Sequence, residues 1–267
     1  MTQSGQVIGS IFIVNIILTP LVTRYIPVVG ARTLLLAGCM VCAVGNIGYS
    51  LLATVWDTDQ FFFLSLLGRV VVGAGDSAIS ATAYTLAGQQ AGEGDQGKVL
   101  GLAEACFGVG TMIGPCVGGF LYQRWGFGVP FMSCGIVLLI VGIVSCFFLT
   151  NLSENNKDTS SKAVTWSHIL MSDGVLVSML MVVMASSAFA WYTASLAPYL
   201  STTYGLSVGQ TGLVLMVNGL VYTFFTPMFG WLTDTWLDGM TTQIVGNLLI
   251  AVSYMFIGPI PPLLPWD

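Results

Sequence analysis

The chain has 267 residues, of which 55% are hydrophobic and only 7% charged, and its formal net charge is −5. A soluble domain carries roughly 25% charged residues, so there are too few polar side chains here to cover a water-facing surface. Soluble enzymes and disordered regions are excluded, and the acidic balance excludes nucleic acid as a partner, because phosphate binding needs basic patches. The mean hydropathy of +0.86 assigns the chain to the polytopic membrane proteins, with the lipid bilayer as its solvent.

A membrane-crossing helix needs about 20 mostly apolar residues. Eight such runs follow one another, at 5–25, 33–54, 60–88, 98–122, 129–150, 174–200, 208–233 and 241–259. The runs are continuous rather than alternating, so they predict helices and not barrel strands. The first has no basic region ahead of it, as a signal peptide would. Arg24, Arg32, Lys98, Lys157 and Lys162 flank alternate junctions on one face, and only Arg124 falls on the other. By the positive-inside rule the five-residue face is cytoplasmic.

The longest polar stretch separates five helices from three. It predicts a division into residues 1–150, a cytoplasmic linker at 151–173, and residues 174–267. Thr19-Pro20 near the end of the first run and Thr226-Pro227 near the end of the seventh hold the same place on either side of that linker. Each is expected to end its helix about a turn later. This points to a parallel repeat, the arrangement of transporters with six helices per half. On that register, residues 1–150 are an N-terminal half-bundle lacking its first helix. Residues 174–267 are the first three helices of a C-terminal half-bundle, so the chain reads as truncated.

The fourth run carries the most specific pattern: Gly101, Gly110, Gly114, Pro115, Gly118 and Gly119. At 100° per residue, Gly110, Gly114 and Gly118 make one groove, and Gly101, Gly108 and Gly119 make another nearly opposite. Two neighbouring backbones are therefore expected to approach, and Pro115 permits a kink between them. The third run reads Leu66-x2-Arg69-x2-Val72-Gly73-x-Gly75-Asp76-Ser77, and the seventh ends Gly230-x-Leu232-x-Asp234.

These three patterns resemble the fifth-helix, fourth-helix and cytoplasmic-loop motifs of the major facilitator superfamily. Val72 stands where the family usually has Gln, and in the first-half loop Thr23 and Pro27 replace the usual Gly and Asp. Within the superfamily the chain is similar to the vesicular amine transporter group, especially its polyamine branch. That likeness rests on Glu104-Ala-Cys-Phe-Gly108, Gly118-Gly119-Phe-Leu-Tyr122, Pro130-Phe131, Leu196-Ala-Pro198-Tyr-Leu200 and Gly258-Pro259. The resemblance implies an all-α major facilitator fold, about eight of twelve helices, corresponding to helices two to nine. It implies a multi-pass protein of a secretory or synaptic-type vesicle or of the plasma membrane. It also implies a small organic cation as substrate, exchanged for protons by alternating access.

Three ionisable residues lie deep within spans: Arg69, Asp76 and Glu104. Each costs roughly 2.5–3.5 kcal/mol at the bilayer centre, so each should face a cavity or a partner. Arg69, Gly73, Asp76 and Ser80 fall on one stripe by helical spacing. Arg69 is expected to line a central cavity, and Asp76 and Glu104 to attract a cation or carry a proton. Tyr192, Asn218 and Tyr222 are candidate cavity residues, since aromatic faces hold organic ammonium ions. Asn15 joins them because a mid-span amide usually faces protein.

Six cysteines lie in apolar runs and the single histidine is His168, so neither a metal site, nor a cofactor, nor an enzyme is expected. There is no P-loop Lys and no dinucleotide fingerprint, so transport by this chain is expected to run on a gradient. Two other functions fit the same residues. One is a superfamily transporter of another solute, such as a drug, sugar or organic anion, which Arg69 would suit. The other is a non-transporting truncated membrane protein that acts through interactions.

Overall fold

The computed structural model describes residues 2–92, 94–148 and 173–257. Among these are eight long α-helices: α1 (Thr2–Val29), α2 (Ala31–Ser50), α3 (Thr58–Gln90), α4 (Gln96–Trp125), α5 (Gly128–Phe148), α6 (Asp173–Thr203), α7 (Val208–Thr235) and α8 (Gly239–Ile257). All eight are long and apolar enough to cross a membrane. A single 3-10 turn, Leu51–Thr54, follows α2. The predicted spans are recovered, each with ragged ends of a few residues. Apart from Asp173, which opens α6, the predicted linker lies outside the described residues.

Local chemistry sets the helix ends. Asp57 caps α3, its Oδ1 accepting the backbone N–H groups of Asp59 at 2.9 Å and Gln60 at 3.3 Å. Ser207 and Gln210 form a reciprocal capping box at the start of α7. Gly30 (φ 90°) and Gly126 (φ 85°) turn the chain between helices in the left-handed region that only glycine enters freely. At the far end of α2–α5, an Arg32 Nη2 donates to the carbonyl of Cys146 at 2.9 Å, placing a cation on the C-terminal turn of α5.

Pro20 and Pro227 stand further from their helix ends than the single turn expected. Both lie inside, with about two further turns beyond each, and α1 also runs through Pro27. In a membrane no water competes for the freed carbonyl, so breaking the helix outright would leave several groups unpaired instead of one.

Two packing systems position the site. In one, α2 packs against α3 and α5, and α1 packs along α3. In the other, α4 runs against α7 in the most extensive helix–helix seam of the molecule. Small residues make that seam possible. A Cβ on Gly219 would fall 2.5 Å from the Met112 backbone, and one on Gly212 would fall 2.5 Å from the Pro115 carbonyl. Gly230 abuts the carbonyl of Gly97, and a Cβ on Gly101 would lie 3.1 Å from the carbonyl of Thr226. Without aqueous solvent to drive helices together, such backbone approach supplies the van der Waals contact that does.

Of the two grooves expected on α4, the described helices fill one. Gly101, Gly108 and Gly119 all face α7, but a Cβ added at Gly110, Gly114 or Gly118 would meet nothing within 4 Å. Only one groove is filled by the described helices, because they place a single long neighbour, α7, along α4.

Candidate functional site

A polar contact part-way along the α4–α7 seam is centred on Glu104. It lies about two turns into α4, roughly 12 Å along the axis from the helix start. Both carboxylate oxygens are occupied. Tyr84 of α3 donates its hydroxyl to Oε1 at 2.5 Å, and Tyr222 of α7 donates to Oε2 at 2.5 Å. Short O–H···O⁻ bonds of this kind are about twice as strong as neutral ones. The ring of Phe107, one turn along α4, stands edge-on to Tyr222 with centroids 6.3 Å apart. Glu104 is half-buried, so one carboxylate is walled by aromatic rings from three helices without being sealed off.

A second cluster joins α1 to α3. Asn15 Nδ2 donates to Asp76 Oδ2 at 2.8 Å, and the Ser77 hydroxyl lies 2.8 Å from Asn15 Oδ1. Ser77 is fully buried, while Asp76 and Asn15 are half-buried. Gly73 lets the helices meet, since a Cβ there would press on Ile11 and Val14 at 3.1 Å.

A third contact closes one end of the seam. Asp234, at the end of α7, accepts the backbone N–H of Gly97 through Oδ1 and of Lys98 through Oδ2, both at 2.8 Å. The first-turn amides of α4 have no partner within their own helix, and their dipole favours a negative charge. The neighbouring Lys98–Asp95 ion pair, at 2.5 Å, belongs to the exposed rim.

The remaining candidates fall elsewhere. The head of Arg69 does not point toward Asp76. Its guanidinium lies over the ring of Tyr49 of α2 at 4.9 Å and that of Phe131 of α5 at 5.9 Å, with Nε buried and unpaired. The single stripe therefore splits, with Gly73 and Asp76 toward α1 and Arg69 toward α2 and α5. A long side chain leans toward its helix N-terminus, which carries the Arg head away from Asp76 and into the aromatic niche. Tyr192 is half-buried on α6. On that helix Trp191 packs on Tyr254 of α8, whose hydroxyl donates to the carbonyl of Ala188. Asn218 is half-buried one turn before Tyr222, with no side-chain hydrogen bond among the described residues. The structure thus joins Glu104 to Tyr222 and Asn15 to Asp76, and links neither pair to Arg69, Tyr192 or Asn218. Two participants were not anticipated as site residues, Tyr84 and Ser77. Ser77 had a signal, being one helical turn beyond Gly73 within the third-helix motif.

The arrangement is an all-helical membrane bundle with a glycine-lined seam, a carboxylate-capped helix entrance and two carboxylates at depth. Comparison with known proteins agrees with it: the Major Facilitator Superfamily profile matches residues 1–266. The chain belongs to the major facilitator superfamily. It is a multi-pass integral membrane protein of a transporter family rather than of an enzyme family. The MFS-type transporter SLC18B1 of Rattus norvegicus is 31% identical over 97% of this chain and 56% of its own length. The human synaptic vesicular amine transporter is 23% identical over 96% of this chain and 48% of its own. An uncharacterized MFS-type transporter of Bacillus subtilis, YbcL, is 23% identical over the whole chain and 68% of its own. The chain spans about half the length of SLC18B1 and the amine transporter.

Proposed function

We propose that the chain forms part of a secondary transporter that exchanges a small organic cation for protons by alternating access. The observation that carries this is Glu104 with its two phenol donors. An ammonium group is a multiple hydrogen-bond donor bearing positive charge. It can replace Tyr84 or Tyr222 at the carboxylate and leave the displaced ring free to face the cation. An organic anion or a sugar gains nothing from an ionised carboxylate in that position. The synaptic vesicular amine transporter among the relatives supports the same substrate class.

In this reading residues 1–150 and 174–267 are parts of two half-bundles that rock about the α4–α7 seam, joined by the linker. Arg24, Arg32, Lys98 and Asp234 lie on the cytoplasmic face, where the Asp234 bonds to α4 hold that side closed. Opening to the cytoplasm breaks them. The membrane is that of an acidic vesicle, whose proton gradient drives the exchange.

The test is uptake of labelled monoamines and polyamines into vesicles holding the purified protein under an imposed pH gradient. Saturable uptake that disappears when the gradient is dissipated is expected. Uptake no greater than in protein-free vesicles, or selective for sugars or anions, overturns the reading.

A further inference from the structure

The Ser77 hydroxyl has one hydrogen and two acceptors at equal distance. Asn15 Oδ1 and the carbonyl of Gly73 each lie 2.8 Å from it. In the arrangement described above the hydrogen goes to Asn15, which holds the amide with its NH2 toward Asp76. Let the Asn15 amide turn by 180° about its terminal bond, a torsion with two roughly equivalent wells. Its oxygen then faces Asp76 and its NH2 faces Ser77. The Ser77 hydrogen passes to the Gly73 carbonyl, and Ser77 Oγ accepts from Asn15. Every group is again paired, but only if Asp76 carries a proton to donate to Asn15 Oδ1.

From this geometry we propose that Asp76, Asn15 and Ser77 form a two-state proton site in which the Asn15 amide reverses when Asp76 is protonated. The proton comes from water and ends on the carboxyl oxygen now bonded by Asn15. No heavy atom moves beyond the exchange of amide N and O, so neither state leaves an unpaired polar group at mid-span. An unpaired group there costs several kcal/mol, which is why an ordinary buried carboxylate resists one of its two states.

The surroundings leave the proton to this trio. Among the described residues Asp76 has no ion pair. The elements packed on α3 are α1, α2, α4 and the Leu51–Thr54 turn, and the Arg69 head also reaches Phe131 of α5, well away from Asp76. From α2, the titratable group within its electrostatic reach is Cys42, whose thiol donates to the Val72 carbonyl. Along α3 it is Tyr84, whose hydroxyl is committed to Glu104 of α4. The facing residue of α1 is Asn15 itself, and the Leu51–Thr54 turn has no charged side chain.

The proposal rests on the proton-coupled reading above only for its purpose, supplying the place where the exchanged proton binds. Its own test needs no transport. The side-chain amide of Asn15 is followed by NMR of 15N-asparagine-labelled protein in lipid nanodiscs, assigned by its loss in Asn15→Ala. Asp76 is followed by its carboxylic-acid infrared band, assigned by its loss in Asp76→Asn. The expected result is that both titrate with one shared midpoint. Ser77→Ala should leave Asp76 and the Asn15 amide titrating together but shift their shared midpoint, because the amide loses its Ser77 partner, and Ser77→Thr should restore it. An Asn15 amide indifferent to pH while Asp76 titrates overturns the proposal. So does an Asp76 band that never appears between about pH 4 and 9. Uptake reads the other claim separately. A shared titration in protein that moves no amine supports the proton site and removes the transport reading. Uptake still driven by protons in Asp76→Asn overturns the assignment of the exchanged proton to this trio.

Discussion

The carboxylate of Asp234 and the backbone amide of Gly97 meet at 2.8 Å, joining the last turn of α7 to the first turn of α4. Gly97 is required there, because a Cβ on it would fall 2.6 Å from the backbone carbonyl of Gly230 as well as 2.5 Å from the Asp234 Oδ1. An anionic cap on a helix N-terminus contributes about 0.5–2 kcal/mol. Asp234→Ala should therefore raise amide hydrogen exchange at residues 97 and 98 by a few-fold to about 30-fold, with residues 110–118 unchanged. Mass spectrometry of the intact protein in detergent reads this directly.

The seam glycines and the open-face glycines should respond oppositely to the same substitution. Gly219→Ala places a methyl group 2.5 Å from the Met112 backbone, which cannot give way without separating the helices. Overpacking of this kind costs about 1–3 kcal/mol. Gly114→Ala meets nothing within 4 Å, and alanine is a better helix former by about 1 kcal/mol. Thermal unfolding should show Gly219→Ala less stable than the unmodified chain and Gly114→Ala equal or more stable.

The Arg69 niche should separate arginine from lysine. A planar guanidinium stacks on Tyr49 and Phe131, whereas an ammonium is more strongly hydrated and leaves the rings for water. Cation–π contact is worth about 0.5–2 kcal/mol. Arg69→Lys should lower the unfolding temperature and Tyr49→Phe should leave it nearly unchanged, since the ring face is kept.

The tyrosines around Glu104 should act as a unit. A hydrogen bond to a charged group contributes about 1.5–3 kcal/mol. With Glu104 intact, Tyr84→Phe and Tyr222→Phe should each destabilise the α3–α4–α7 junction. In the Glu104→Gln background each should matter much less. A double-mutant cycle on unfolding free energy checks this, and additive values would contradict it.

How much of this was legible beforehand follows from periodicity and its limits. Eight long apolar runs and the glycine pattern of α4 specify a helical membrane bundle, because in lipid every backbone group must be paired within its own segment. Asn15, Asp76 and Glu104 stood out because polar groups at mid-span need a reason, and Tyr222 because an aromatic face can hold an organic ammonium ion. What spacing on one helix cannot give is the neighbour. Residues Arg69 and Asp76 share a stripe on α3, yet the reach of the arginine carries its head to α2 and α5. Likewise Gly110 and Gly101 look alike in sequence, but only the position of α7 tells which groove is filled. Tyr84 carried no signal, since a tyrosine in a membrane helix is ordinary until a carboxylate on another helix faces it.

The central claim is that Glu104, between Tyr84 and Tyr222, receives an organic ammonium group. Equilibrium binding of a labelled amine to the purified chain tests it most directly, comparing the unmodified protein with Glu104→Gln. Losing a charge-assisted contact of about 1.5–3 kcal/mol predicts binding weaker by roughly 10-fold to more than 100-fold in Glu104→Gln. Equal affinity in the two proteins would contradict the account.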